Sequence, residues 1–172
     1  MHDLAILLAK GLEKLNLTPM RDFDGESYRF LGFYTKNREE SFLCEIGGWF
    51  NSIANVMLYD TFGEKNISLI INQTELETIV VSDETVRKIL AIKKNSSEFI
   101  KNLIIMDNAS SEIEEEAKEL GVTLIPYQDI LTAGREAEEI KMKYAEPSNL
   151  ITLCYSSGTT GDPKVYLFKI KN

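Results

Sequence analysis

Short runs rich in β-branched residues alternate with helix-length amphipathic segments along almost this whole chain, and that alternation constrains its fold most tightly. Residues 28–35, 56–59, 78–81, 103–106, 122–125 and 150–155 read as strands. Leu4, Leu7, Leu8, Leu12 and Leu15 recur at helical spacing and predict an amphipathic helix over residues 3–16. Asn37 followed by Glu40 predicts a capping box, opening a second helix whose apolar face carries Phe42, Ile46, Phe50 and Ile53. Further helices are expected over residues 63–73 around Ile67, Ile70 and Ile71, and from an N-cap at Asp83 to about residue 94. Two more run from Ser111 to a terminating Gly121 and over residues 127–143. Residues 21–27 are polar and read as an exposed excursion. Strands separated by helices of that length need crossover connections. The expected architecture is therefore α/β, a largely parallel sheet with helices on both faces.

At 172 residues the chain is the size of one domain, with no repeat, low-complexity tract or linker. Its net charge of −8 makes nucleic acid a poor partner in bulk, though backbone N–H groups and one lysine can still create a local phosphate site. The longest apolar runs, at residues 4–9 and 103–106, fall far short of the roughly 20 residues of a membrane-spanning helix. The N-terminus lacks the basic region and small-residue cleavage site of a secretory leader, so a secreted product is not expected. Cys44 and Cys154 match no metal spacing and read as reduced core thiols. With His2 as the single histidine, histidine catalysis is not expected, and no catalytic or metal-ligating residue is assigned.

Chemistry concentrates in Tyr155-Ser156-Ser157-Gly158-Thr159-Thr160-Gly161-Asp162-Pro163-Lys164, directly after a predicted strand. Glycines let the backbone approach a bulky anion, and consecutive N–H groups form a concave nest for it. Hydroxyls add rotatable donors, and Lys164 adds the positive charge phosphate oxygens need. The spacing does not fit a Walker A loop, and residues 165–168 look extended, so no helix dipole is invoked. On composition alone the segment is equally an ordinary mobile surface loop.

The string Leu153-Cys154-Tyr155-Ser156-Ser157-Gly158-Thr159-Thr160-Gly161-Asp162-Pro163-Lys164 closely resembles the phosphate-loop signature of the adenylate-forming, AMP-binding superfamily, with Val165 where that family has glycine. Val56-Met57-Leu58-Tyr59-Asp60-Thr61-Phe62-Gly63, then Ile70-Ile71-Asn72 and Glu75-Leu76, resembles a segment of long-chain fatty-acid–CoA ligases, with Met57 replacing a proline. Phe30-Leu31-Gly32-Phe33-Tyr34, Asn37-Arg38-Glu39, Gly121-Val122 and Gly134-Arg135-Glu136 fall in the same order, so the resemblance is colinear from about residue 4 to Lys164. Residues 165–172 lie outside it.

The resemblance implies the N-terminal subdomain of an adenylate-forming fold, a partial AMP-binding domain over residues 1–172 ending just after the loop at 155–164. It implies ATP, a long-chain fatty acid and CoA as partners of the full-length enzyme, with magnesium as cofactor and its ligand beyond this chain. Ser156, Ser157, Gly158, Thr159, Thr160, Gly161 and Lys164 would contact the ATP phosphates. The Asp60 or Thr61 side chain is expected to cap the next helix, and Trp49 and the phenylalanines to sit in the core. The family's location implies the cytoplasmic side, with endoplasmic-reticulum association. The chain is expected to be inactive alone and its last eight residues to mark a truncated gene. Two other readings stand beside this one: a non-catalytic nucleotide-binding or interaction module from a truncated ligase gene, and an unrelated doubly wound phosphate-binding domain.

Overall fold

A computed structural model describes residues 1–137, 139–156 and 163–169. Strands β2 (Glu26–Tyr34), β3 (Ala54–Met57), β4 (Thr78–Val81), β5 (Asn102–Ile105), β6 (Thr123–Pro126) and β7 (Leu150–Ser156) are joined to their neighbours in parallel. Strand β8 (Lys164–Lys169) closes the row antiparallel to β7, giving the order β6-β5-β4-β2-β3-β7-β8. The expected α/β architecture is the one observed.

The alternation of side chains across a strand explains the two layers. Phe30, Val56, Ile79, Val81, Leu103 and Leu153 face one side with α3 (Gly63–Gln73), α4 (Asp83–Ser96) and α5 (Ser111–Glu119). Leu31, Phe33, Val80 and Ile104 face the other with α1 (His2–Lys14), α2 (Glu39–Trp49) and α6 (Tyr127–Arg135). Every residue of β4 is buried, as expected for a strand covered on both faces.

Several local expectations change. The polar stretch at 21–27 is no loose excursion: β1 (Met20–Phe23) pairs antiparallel with the first half of β2. Asp24 and Gly25 turn the hairpin at φ 51 and 80, the positive values a two-residue turn of this kind requires. Helix α2 buries Ser41, Leu43, Cys44, Gly47 and Gly48, while Phe42 of the expected face is 50% exposed. Close approach selects that face, since a Cβ on Gly47 would meet Leu8 Cβ at 3.0 Å and Ala5 O at 3.1 Å. Asn37 forms no capping box; the N-cap of α2 is Arg38, without a side-chain cap bond. The helix expected from Asp83 is capped one residue earlier, by a Ser82–Thr85 capping box. Ser110 caps α5, its hydroxyl accepting from Ile113 N, and Gly121 follows at φ 67 as anticipated.

The helix expected over 127–143 stops at Arg135. The backbone beyond is taken by tertiary hydrogen bonds: Lys143 N donates to Asn51 Oδ1 at 3.4 Å, Ser52 Oγ to Lys143 O at 2.7 Å, and Ala145 N to Trp49 O at 3.3 Å. Trp49 is half-buried, its indole N–H donating to Ile151 O at 3.0 Å, and Phe168 is 52% exposed, so the aromatic residues are only partly core. Cys44 is buried and Cys154 half-buried, both free.

Candidate functional site

The parallel strands all end on one edge of the sheet, and the chain diverges there. Strand β2 has β3 on one side and β4 on the other, so successive crossovers leave it in opposite directions. In open α/β sheets such a divergence opens a crevice at the carboxyl ends of the strands. Tyr34, Asp60, Ser82, Asp107 and Ser156 stand at or just beyond those ends.

The segment with the hydroxyl-rich loop leaves this edge from β7. Ser156, half-buried, is the last residue of β7 and lies opposite Lys164, the exposed first residue of β8. The antiparallel pair thus brings together the two ends of the predicted phosphate site. Ser157, Gly158, Thr159, Thr160 and Gly161 of that site lie outside the described residues. Strand β7 is fixed on both faces: Trp49 holds Ile151, and the buried Tyr155 reaches Gln73 Oε1 at 3.4 Å. Burial pushes the Tyr155 phenol well above its ordinary range, so it stays a neutral donor.

Beside β7, the turn after β3 carries a polar network. Asp60 begins a single 3₁₀ turn, Asp60–Phe62, and its side chain caps no helix, contrary to expectation. It accepts instead from the Tyr34 hydroxyl and from Lys88 Nζ, the latter at 2.6 Å. Lys88 Nζ also lies 5.7 Å above the Tyr34 ring, within reach of a cation–π contact. The Lys88 ammonium, then the Tyr34 hydroxyl, hold the Asp60 carboxyl below the usual range. Burial, reinforced by Asp60, pushes Tyr34 far up. Burial pushes the half-exposed Tyr59 phenol of the same turn above its ordinary range. Burial raises the Cys154 thiol of β7, and the Tyr59 hydroxyl opposes the rise.

A second network ties together the loops after β2, β4 and β5. Arg38 donates to Glu40 at 2.9 and 3.0 Å and to Asp107 Oδ1 at 2.7 Å, while Asp107 Oδ2 accepts from Asp83 N at 3.1 Å. Thr85 Oγ1 donates to Tyr34 O at 2.5 Å. These bonds make a stiff rim around the strand ends. Two clefts flank it. One of about 470 Å³, lined by Tyr34, Asp60, Ile67 and Lys88, opens next to the turn after β3. A larger one of about 620 Å³ lies between α5 and β6, at the opposite side of the sheet from β7 and remote from Ser156 and Lys164. Among the described residues, no group of three or more His, Cys, Asp or Glu side chains is placed to hold a metal ion.

The residues 1–172 match the family described as AMP-binding enzyme. The match includes residues 165–172, beyond the motifs that carry the resemblance; of these, residues 165–169 lie in β8, a strand of the same sheet. Long-chain-fatty-acid–CoA ligase 1 of Cavia porcellus is 32% identical over 154 residues, 88% of this chain and 22% of its own length. Fatty acyl-CoA synthetase B of Dictyostelium discoideum is 34% identical over 167 residues, 96% of this chain and 23% of its own length. The chain therefore spans under a quarter of the curated relatives it matches. Among solved structures, the adenylation domain of a carboxylate reductase from Mycobacterium chelonae superposes with a TM-score of 0.75 at 17% identity, covering 97% of this chain and 26% of that one. An anthranilate CoA ligase in complex with anthranoyl-AMP gives 0.73 at 17% identity, covering 97% and 28%. At such identities the structures speak for the fold, and the sequence match carries the family. On these grounds the chain belongs to the AMP-binding enzyme family, with long-chain-fatty-acid–CoA ligases among its sequence relatives.

Proposed function

We propose that this chain is the phosphate-holding N-terminal part of a long-chain fatty-acid–CoA ligase. One observation carries the reading: the hydroxyl- and glycine-rich segment joins β7 to β8 at the carboxyl edge of the sheet, with Ser156 opposite Lys164 at its base. In this reading Ser156, Ser157, Gly158, Thr159, Thr160, Gly161 and Lys164 contact the β- and γ-phosphates of ATP.

The chemistry asked of them is electrostatic. A fatty carboxylate oxygen attacks the α-phosphorus, the bond to the β-phosphate oxygen breaks, and pyrophosphate leaves with the bonding electrons. Fixed N–H and hydroxyl donors and the Lys164 ammonium stabilise the charge that collects on the leaving group. The CoA thiol then displaces AMP from the acyl-adenylate, giving the thioester. Magnesium is the cofactor that the family resemblance implies for the full-length enzyme, with its protein ligand beyond this chain. Such an enzyme works on the cytoplasmic side, associated with the endoplasmic reticulum; no described helix is long and apolar enough to cross a membrane.

Three reactants must be held together for the reaction to gain its entropic advantage, and this chain carries one part of one site. With ATP, magnesium, CoA and palmitate it is therefore expected to release no pyrophosphate and form no acyl-CoA. Binding is expected to be phosphate-led, with pyrophosphate and ATP held more tightly than AMP in calorimetry. Thr160→Ala and Lys164→Ala should each weaken pyrophosphate binding by about 1–3 kcal/mol, the range for a hydrogen bond to a charged group. AMP binding equal to ATP binding, or full affinity in both variants, would overturn the assignment. Turnover lost on Lys164→Ala would show instead that the chain is a complete catalyst.

A further inference from the structure

A third cleft, of about 500 Å³, opens at the amino edge of the sheet, where Leu150 begins β7 and Lys169 ends β8. The length of β7, about 20 Å of extended chain, separates it from Ser156. Its charge runs against that of the molecule. The whole chain carries −8, yet Arg29, Lys143 and Lys169 line this cleft, with Glu26 as the one carboxylate among its lining residues. The frame is fixed by tertiary bonds. On one wall Ser52 Oγ reaches Lys143 O at 2.7 Å and Asn149 Oδ1 at 3.4 Å, and Lys143 N donates to the buried Asn51 at 3.4 Å. Arg29 is locked by donating to Thr18 O at 2.9 Å and to Glu13 at 2.6 Å. The other wall is the β1–β2 hairpin, with Glu26, Ser27 and Tyr28.

Several donors in this frame are unspent. Asn149 uses its Oδ1 to accept from Ser52 Oγ and from Glu146 N, the latter at 2.6 Å, which leaves its Nδ2 hydrogens free. The Ser148 hydroxyl has no partner among the described residues. Lys143 and Lys169 hold long, exposed pairs, 3.6 Å to Glu13 and 3.4 Å to Glu26. Ammonium groups and free N–H and O–H donors around a preformed hollow suit an anion with several oxygens.

We propose that this cleft is a binding site for a small phosphate monoester, its phosphate seated by Lys143, Ser148, Asn149 and Lys169 and its body lying against the hairpin wall. The volume falls within the roughly 300–1,000 Å³ of small-molecule sites, leaving room for a body beside the phosphate. Glu26 repels the anion and keeps the phosphate toward the opposite wall. The site stands apart from the loop between β7 and β8, at the other edge of the sheet, and does not depend on it.

NMR titrations of the 172-residue chain with glycerol 3-phosphate at constant ionic strength test this, with inorganic phosphate and glycerol as controls and thermal unfolding of each variant alongside. Saturable amide shifts are expected at Ser52, Lys143 and Asn149, with the ester held more tightly than inorganic phosphate and no response to glycerol. Lys143→Gln should raise the ester Kd about tenfold, the span of one charge-assisted hydrogen bond, and Ser148→Ala about two- to fivefold. Glu26→Gln should lower it, because it removes the opposing charge and releases Lys169. A substitution that merely loosened the fold would weaken binding instead. Lys164→Ala should leave these shifts unchanged, which separates this cleft from any site at the loop. Shifts that never saturate, or an unchanged Kd in Lys143→Gln, would overturn the proposal. So would weaker binding in Glu26→Gln, or inorganic phosphate binding as tightly as the ester, which would mean an adventitious ion only.

Discussion

Strand β4 buries all four of its residues between two layers of helices, whereas β8 leaves Tyr166, Leu167 and Phe168 between 37% and 53% exposed. The two strands have similar apolar content, Thr-Ile-Val-Val against Lys-Val-Tyr-Leu-Phe-Lys, yet they do different work. At β4 each side chain displaces water on folding, and Ile79, Val80 and Val81 are each paired with a strand on both sides. At β8 one edge is paired to β7 and the other ends the sheet, with Lys164 and Lys169 at its ends. Terminal lysines are a common way of blunting an open strand edge. The difference separates two kinds of constraint in one sheet. Stability is concentrated around β2, β4 and β5, and the predicted phosphate chemistry hangs from the margin they support.

The sharpest way to break this comparison is to hollow the interior. Ile79 of β4 is fully buried and packs in the cluster with Ile89, Leu90 and Leu103. Ile79→Ala should cost about 2–5 kcal/mol, the lost transfer energy plus the cavity left behind. Urea unfolding measures it, and a loss under about 1 kcal/mol would show that the site collapses or was never tightly packed. A smaller effect is expected where α6 crosses α1. A Cβ on Gly134 would fall 2.0 Å from Leu7 O, a backbone atom that cannot rotate away. Gly134→Ala should force the helices apart and cost about 1–3 kcal/mol in the same assay. Neutrality there would mean that the two helices slide past each other freely.

These two sites also show what was legible in the amino-acid order. The parallel sheet with helices on both faces was legible, because period-2 and period-3.6 patterning reports on burial residue by residue. Gly121 was legible for the same reason, since its positive φ is a local property. The Asp24-Gly25 turn carries an equally local signal, but the hairpin it closes is formed by a polar, exposed ribbon, where hydrophobic alternation is weak. The buried face of α2 is not legible in its own periodicity, since close approach to α1 and β3 favours Gly47 and Gly48 over larger side chains, a choice made by tertiary contact. The loop at 156–164 was visible as a motif. The polar network in the turn after β3 was not. Asp60 meets partners 26 residues before it and 28 after it, and no local cue joins such distant positions.

The Asp60 network supplies a pH test between the two extremes. Its folded-state pKa lies below the ordinary value, with the Lys88 pair as the first cause and the Tyr34 hydroxyl as the second. A depressed carboxyl contributes stability above its unfolded pKa and loses it as pH falls through the folded value. Wild type should therefore lose a small amount of stability as pH falls from about 5 to below 3.8, and Asp60→Asn should lack that part of the acid limb. The Lys88 and Asp60 side chains are 53% and 60% exposed, so solvent screening keeps the difference below about 1 kcal/mol. Parallel acid limbs for the two proteins would show that the network holds no charge-dependent stability.

The smallest effect belongs at the margin, and its smallness is the point of the test. Phe168 lies on β8, 52% exposed, opposite Thr152 of β7. A side chain half in water loses little transfer energy when shortened, and serine leaves the backbone pairing with β7 intact. Phe168→Ser should change stability by less than about 0.5 kcal/mol, the usual range for surface substitutions away from special features. It should also raise solubility, since it removes an exposed aromatic from an open strand edge. Unfolding in urea and the concentration dependence of light scattering read the two effects separately. A loss near that of Gly134→Ala would mean that β8 is anchored as firmly as the interior, and the division of this sheet into a stabilising centre and a functional margin would not hold.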